Sequence, residues 1–517
     1  MEREYIVVVK RGVDLQEFDN DMIKTTGDGR IPKRSVDMAN PRPGSRRMTH
    51  YMLTSDEAYK LQFDPRVLSV EIPPEERDDI TLGLNAFQTA DFTKPTIAES
   101  NLVNWGLRRC IDEANNYGTD TTIPGEYLYA LDGTGVDVVI QDSGIEADHP
   151  EWQDRYGNSR LQQIDWYTES GLSGTQNINH YRDFDGHGTH CAGIAAGKTY
   201  GWAKNSHIYA QKLAGLEGSG DTGTGISISD AFDAIRLWHL AKTNGRPTVV
   251  NMSWGYSSRI TGDPSSINYR GNAFSYTNAA AAWVAYGLVP EQDGIRRTIP
   301  ARVASVDAEI EDMIDAGIHI VVASGNNYYK ADVSTGLDYN NSVVYGSEVY
   351  FYHRGSSPFS EEAFIVGNID TDIQDDSGTA RDKISETSTR GPAVNIYAPG
   401  TNIMSTLSNT SAYAQVDYPG DSNFKVGSIS GTSMAAPQVA GLIALHLQAT
   451  PKMTTAEMKK RIEQDSKGVI FSTGSDTDYN VFGTSLLGSP NRMLWSRYGR
   501  QPFSFSGTTN FGGNIKL

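Results

Sequence analysis

Cysteine is nearly absent: Cys110 and Cys191 are the only two in 517 residues, which excludes a disulfide framework. Positive charge is in deficit. The 45 Lys and Arg stand against 63 Asp and Glu, for a formal net charge of -18. That balance excludes the basic face a phosphate backbone requires, and it reads as an acidic, soluble surface. No uninterrupted apolar run reaches the roughly 18 residues of a membrane-spanning helix. The start, Met1-Glu2-Arg3-Glu4-Tyr5-Ile6-Val7-Val8-Val9, lacks the basic start, long apolar stretch and small-residue cleavage site of a secretory signal. No internal repeat is visible. Together these absences lead us to expect no nucleic-acid partner, no membrane partner, and an intracellular setting or a particle assembled inside a reducing compartment.

What is present suffices for a large core. Hydrophobic residues make up 38% of the chain and aromatics 10%. The length fits about three domains. Residues 1–75 read as a small first unit. It has a β-branched strand at Tyr5–Lys10, a long Gly-, Pro- and Arg-rich loop over Thr25–Arg47, a helix over Thr54–Phe63 capped by Thr54 or Ser55, and a strand at Val67–Ile72. Residues 76–104 are polar and without period, and read as a linker. From Trp105 strands alternate with helices. Strands are predicted at Val136–Gln141, Ile208–Leu213, Thr248–Met252, His319–Ala323, Phe364–Gly367 and Val394–Tyr397. Helices are predicted at His187–Gly197, Ile228–Lys242, Val306–Asp315 and Ser433–Gln448. Such alternation argues for an α/β architecture with a parallel sheet, whose ligands sit at the carboxyl ends of the strands. The tail, 489–517, carries no assignable pattern.

Three Gly-rich turns carry the chemistry: Gln141-Asp142-Ser143-Gly144, Asp185-Gly186-His187-Gly188-Thr189-His190 and Gly431-Thr432-Ser433-Met434-Ala435-Ala436-Pro437. They supply an acid, a base and a nucleophile in the order Asp, His, Ser. A serine hydroxyl becomes nucleophilic only when a base removes its proton, which assigns Ser433 as nucleophile and His187 as base. Asp142 would fix the imidazole tautomer and stabilise its charged form. Pro437 is expected in the first turn of its helix, where a missing N–H costs little. Asn326, in Ala323-Ser324-Gly325-Asn326, would donate its amide to a developing oxyanion, with Asn327 beside it as the alternative. His187 and His190 lack a third residue at zinc-ligand spacing, so no metal is assigned.

These segments, with Thr199-Tyr200-Gly201-Trp202-Ala203-Lys204, Trp105-Gly106-Leu107 and Asn395-Ile396-Tyr397-Ala398-Pro399-Gly400-Thr401, resemble the subtilisin-like serine proteases, nearest in pattern to the proteinase K branch. The same chain order of the triad is known in subtilisin. The resemblance covers Trp105 to about Gly468. It implies a three-layer subtilisin-like fold with a mainly parallel central sheet, and a catalytic domain over 105–488. It implies endopeptidase activity with no required cofactor. Gly218-Ser219-Gly220 and Ser253-Trp254-Gly255 match the two edges that hold the substrate backbone as an added strand. Ala323-Ser324-Gly325 matches one wall of the first specificity pocket. Cys191 matches a buried thiol beside the base.

The first unit resembles the inhibitory propeptide of these enzymes, a small α+β, ferredoxin-like prodomain. That implies a self-inhibited precursor, cleaved between Glu76 and Asn104, with the prodomain as intramolecular inhibitor and peptide or protein as substrate.

Two insertions break the pattern, near 256–303 and 328–357. The first contains a helical Ala279-Ala280-Ala281-Ala282-Trp283-Val284, and the second follows Asn326 where the pocket floor is expected. Asn395 replaces a calcium-ligand Asp of the family. Structural calcium therefore has no assigned site, with Asp332 and Asp338 as alternative ligands. The competing expectation is a virion or particle structural protein that keeps the protease fold with its prodomain permanently in the cleft and other particle proteins as partners.

Overall fold

The structure is a computed structural model. It describes residues 2–24, 34–77, 80–84, 104–113, 115, 128–176, 181–221, 223, 225–276, 282, 285–289, 297–373, 380–473 and 485–500. Among them no helix is long and apolar enough to cross a membrane. The poly-Ala segment 279–284 and the residues after Arg500 lie almost wholly outside the described residues.

An eight-stranded sheet forms the centre. Its order runs Ala380–Ile384, Phe364–Ile373, His319–Ala323, Thr248–Met252, Asp137–Asp142, His207–Lys212 and Leu161–Gln162, with Ile396–Pro399 also paired to Phe364–Ile373. Every pairing is parallel except that of the edge strand Ala380–Ile384. The central strands are rich in buried apolar residues because both faces are covered. Val138, Ile140, Val249 and Val321 point into one core, with the helices His187–Ala196 and Thr432–Ala449. Val139, Val250, Ile320 and Val322 point into the other, with Ile228–Ala241 and Ala304–Asp315. Alternate residues of each strand thus serve opposite layers.

The first unit has three elements the composition conceals. A helix at Leu15–Ile23 is capped by Asp14, a strand at Met38–Asn40 replaces part of the expected loop, and a strand at Met48–Thr54 follows it. Strand, helix, two strands, helix and strand make an antiparallel sheet in the order Met38–Asn40, Met48–Thr54, Glu2–Val9, Val67–Glu71. Thr54 caps the second helix, Ser55–Leu61, in a full capping box with Glu57. Val7 and Val9 pack under the two helices, while Ile6 and Val8 meet Met48 and Ala308.

The second face of that small sheet docks on Ile228–Ala241 and Ala304–Asp315. Arg42 donates to Asp233 at 2.8 Å, both buried, and Arg236 holds the other oxygen of Asp233 at 2.9 Å. Arg47 pairs with Glu311 at 2.6 Å, and Glu71 accepts the Ser305 amide at 2.7 Å. Removing one partner of a buried ion pair leaves a desolvated charge. Arg42→Ala is therefore expected to destabilise the full chain by about 3 kcal/mol, read as a lower denaturant midpoint at unchanged slope.

The expected linker also holds structure. Ile80–Leu84 is a strand that pairs antiparallel with Trp254–Ile260, whose other edge carries Arg297–Pro300. The two insertions are one unit. Ser266–Tyr269 from the first pairs with Ser342–Tyr345 from the second, flanked by Asn272–Ser275 and Glu348–Phe351. Beside this sheet Asp338 is bound bidentately by Arg270, at 2.7 and 3.0 Å, and by Lys330 at 2.8 Å. Asp332 accepts the Val333 and Asp338 amides. Asn395 bonds the backbone of Ile365 and Ala363. These groups are committed to partners of the chain itself. The tail is integrated through Arg500: Met493 and Leu494 are buried, and Leu494 donates to the Tyr397 carbonyl at 2.8 Å.

Candidate active site

Asp142 ends its strand and His187 opens its helix, and the two meet: Asp142 Oδ1 lies 2.8 Å from His187 Nδ1, with both side chains fully buried. Burial by itself would lower the imidazole pKa. The adjacent Asp142 carboxylate opposes that, and the net effect holds His187 well above its ordinary value. Cys191 lies one turn along, its Sγ 3.9 Å from His187 Nδ1. Burial pushes the Cys191 thiol up, so it stays neutral, a packed neighbour of the base. Asp142, His187 and Cys191 place their donor atoms within 4.8 Å of one another, whereas His190 is turned to the Gly427 carbonyl at 3.1 Å.

Asp183 organises this corner, although no sequence motif marks it. Its buried carboxylate accepts from the Gly186 amide at 2.8 Å, the Thr189 amide at 2.9 Å, the Thr189 hydroxyl at 2.6 Å and the Ser143 hydroxyl at 2.9 Å. Ser143 Oγ in turn accepts from the Gly188 amide at 2.9 Å. One carboxylate thus ties the strand end carrying Asp142 to the helix start carrying His187. The signal that could have found it is an acidic residue a few positions before a helix, the capping pattern that satisfies orphan amides. Gly186 must be glycine: its φ is +96°, and a Cβ there would meet Ser411 Oγ at 2.3 Å.

Ser433 is the second residue of its helix, after the N-cap Gly431 and Thr432. Its hydroxyl donates to the Ser253 carbonyl at 3.0 Å. His187 Nε2 has no hydrogen-bond partner. The acid and base are thus already joined, while the serine proton is held by a backbone carbonyl. Rotation of the Ser433 side chain and its hydroxyl would release that proton from the carbonyl, as expected where catalytic hydrogen bonds tighten only with substrate. Pro437 lies inside the helix, not in its first turn. Its missing N–H frees the Ser433 carbonyl, four residues back, from the helix ladder. That carbonyl accepts instead from Ser253 Oγ at 2.9 Å and Cys191 Sγ at 3.4 Å. Proline thereby anchors the nucleophile's backbone to two neighbouring elements.

Asn326 follows the strand His319–Ala323, and its Oδ1 accepts from the Thr432 amide at 3.0 Å and the Thr432 hydroxyl at 3.1 Å. An amide N–H can only donate, so this contact fixes the flip and turns Nδ2 away from Thr432. Asn326→Ala is expected to lower kcat by about 10²–10³ with KM little changed, since the donor acts on charge that develops after binding. Steady-state kinetics on a peptide substrate would check it.

Ser253, Trp254 and Gly255 lie at the start of the strand that Ile80–Leu84 pairs with, in the register Trp254↔Leu84, Gly255↔Gly83, Tyr256↔Leu82. Gly218, Ser219 and Gly220 form an exposed turn, and Gly218 packs against the Asp185 backbone just before the base. Ala323, Ser324 and Gly325 lead into Asn326, with Gly325 at φ +107°. Tyr413, which no sequence motif marks either, places its ring 6.5 Å from that of His187. The arrangement brings an acid, a base, a hydroxyl and an amide-bearing side chain to one end of the sheet, beside an edge that accepts an extended strand.

A model of the Subtilase family, Peptidase_S8, matches residues 133–485. The chain is 26% identical over 425 residues to the subtilisin-like serine protease Pen c 2 of Penicillium citrinum, covering 80% of this chain and 69% of that one. It is 26% identical over 502 residues to a cuticle-degrading serine protease of Arthrobotrys oligospora, covering 96% and 90%. It is 29% identical over 394 residues to Proteinase R of Parengyodontium album, covering 74% and 72%.

Proposed function

The chain belongs to the subtilase family and is a subtilisin-like serine endopeptidase, a hydrolase acting on peptide or protein, and from that premise we propose that it is made as a self-inhibited precursor. In this reading Ser433 attacks the scissile carbonyl, His187 takes its proton and returns it to the leaving amine, and Asp142 holds the imidazole and stabilises its charge. The tetrahedral oxyanion meets the Asn326 amide and the N-terminal end of the Ser433 helix. Residues 2–77 are the inhibitor, docked on two helices of the catalytic unit.

One observation carries the precursor reading. The chain's own Ile80–Leu84 occupies the edge of Trp254–Ile260, in the antiparallel geometry by which a peptide adds a strand. A chain held there excludes any other substrate until it is cut and leaves. Intact-mass measurement on the full chain during incubation tests this. A catalytic fragment that begins between Leu84 and Asn104 is the expected product. A chain that hydrolyses added peptide while keeping Met1 attached would remove the precursor reading and leave the protease. A chain that keeps Met1 and hydrolyses nothing is what the permanently blocked particle protein predicts.

A further inference from the structure

Lys212 ends the strand His207–Lys212 and lies directly beside the catalytic acid, in the parallel register Asp142↔Lys212. Its side chain is fully buried, yet it stands outside the set of Asp142, His187, Ser433 and Asn326. An ammonium is expensive to bury unless it is paired and hydrogen-bonded. Lys212 Nζ is both. It donates to the Arg182 carbonyl at 2.6 Å and to the Asp221 carboxylate, whose side chain is also buried. The ring of Phe184 lies 5.3 Å from the same Nζ, within reach of a cation–π contact.

These partners belong to different parts of the site. Arg182 and Phe184 lie in the turn that leads through Asp183 and Asp185 to the base. Asp221 lies in the loop that follows Lys212 and carries Gly218-Ser219-Gly220. That loop is closed at its neck: the Ala214 amide donates to the Ile226 carbonyl and the Ile226 amide to the Lys212 carbonyl, each at 2.8 Å. Farther out, Gly218 approaches the turn of the base so closely that a Cβ there would stand 2.7 Å from the Asp185 nitrogen. Acid strand, base turn and exposed loop thus meet at one ammonium. A buried ion pair is weak grounds for stability, since apolar side chains of similar volume often hold a core as well or better. What this pair adds is geometry. With three N–H donors, one Nζ bridges the Asp221 loop to the Arg182 turn.

We propose that Lys212 and Asp221 are positioning residues, which hold the Gly218-Ser219-Gly220 edge at the spacing from the base that an extended substrate needs. The proposal rests on the protease reading and on that edge as the second border of the substrate lane. An edge held in this way acts on substrate residues upstream of the bond that is cut. Binding energy from such remote residues is spent at the reacting carbonyl, so a misplaced edge costs turnover on long substrates. A substrate too short to reach the edge is indifferent to it. A shift of about 1 Å in a positioning element can cost about 10²-fold.

The test uses the full chain, with active sites counted by fluorophosphonate labelling and variants compared at the same state of processing, read by intact mass. The substrates are nitrophenyl esters of acetyl-Leu and of acetyl-Ile-Thr-Leu-Gly-Leu, the longer one carrying the sequence that pairs with Trp254–Ile260. The readout is the ratio of kcat/KM, long over short, per labelled site. Asp221→Asn keeps the shape and removes the charge, and Lys212→Met keeps much of the stem and removes the donors. We expect Asp221→Asn to lower the ratio roughly tenfold, and Lys212→Met roughly tenfold to a hundredfold. Combining Lys212→Met with Asp221→Leu leaves neither charge of the pair buried. Its denaturant midpoint should recover relative to Lys212→Met, while its ratio stays low. A merely structural pair would lower the labelled fraction and leave the ratio per labelled site where it was. An unchanged ratio in both single variants, or a ratio that recovers with stability in the double variant, overturns the positioning role and spares the protease. A chain that takes no label and cleaves neither ester loses both.

Discussion

Ser433→Ala is expected to lower peptide hydrolysis by about 10⁶, to the residual level that binding and oxyanion stabilisation give without a nucleophile. The fold should survive. The hydroxyl makes one bond, to the Ser253 carbonyl, worth about 1 kcal/mol. The contacts that place the residue do not involve that hydroxyl: the Asn326–Thr432 bonds and the Ser253 and Cys191 bonds to the Ser433 carbonyl remain. The variant should also keep residues 1–84 attached, because the cut is its own. Mass measurement beside a peptide assay reads both outcomes at once. Self-processing by purified Ser433→Ala would show that another group is the nucleophile.

Asp142→Asn is expected to cost about 10⁴ in kcat, nearly all of it electrostatic and tautomeric. Asp142 Oδ1 accepts from His187 Nδ1 and from the Ser143 amide, which selects the imidazole tautomer whose Nε2 can take a proton. An asparagine amide turned to His187 would select the other tautomer. The pH profile separates this from simple misfolding. His187 must be neutral to act as base, and it is held above its ordinary pKa chiefly by the carboxylate opposing burial. In the unaltered chain, kcat/KM should therefore rise with pH through a value above the ordinary imidazole range near 6.5. In Asp142→Asn burial acts unopposed, so the acid limb should move to lower pH while the plateau falls. An unmoved limb would mean that the Asp142 carboxylate is not what sets the base.

Much of the site is legible in the amino-acid sequence alone. Asp142, His187 and Ser433 each sit in a Gly-rich turn at a strand end or helix start, and the local pattern signals both the turn and the residue type. The core strands are legible as continuous apolar runs. Thr248–Met252 and His319–Ala323 keep their predicted bounds because both faces of each are buried. The small elements are harder. Leu15–Ile23 is short and polar on its outer side, and Met48–Thr54 pairs across the Glu2–Val9 strand, so their stability comes from packing rather than propensity. Pro437 stands deeper in its helix than its local pattern suggests, because helix starts fix poorly from sequence and here Gly431 is the N-cap.

Local sequence determined which groups could do the chemistry, because nucleophile, base and acid are properties of single side chains in turns that the neighbouring residues specify. Only the tertiary structure decided where those groups stand and what already fills the lane beside them. Ile80–Leu84 has no pattern that names Trp254–Ile260 as its partner, and Lys212 is separated from Arg182 by 30 positions in the chain. Strand pairing and buried tertiary bonds are non-local contacts, set by which surfaces the whole fold can bury together, and no short window of residues encodes them.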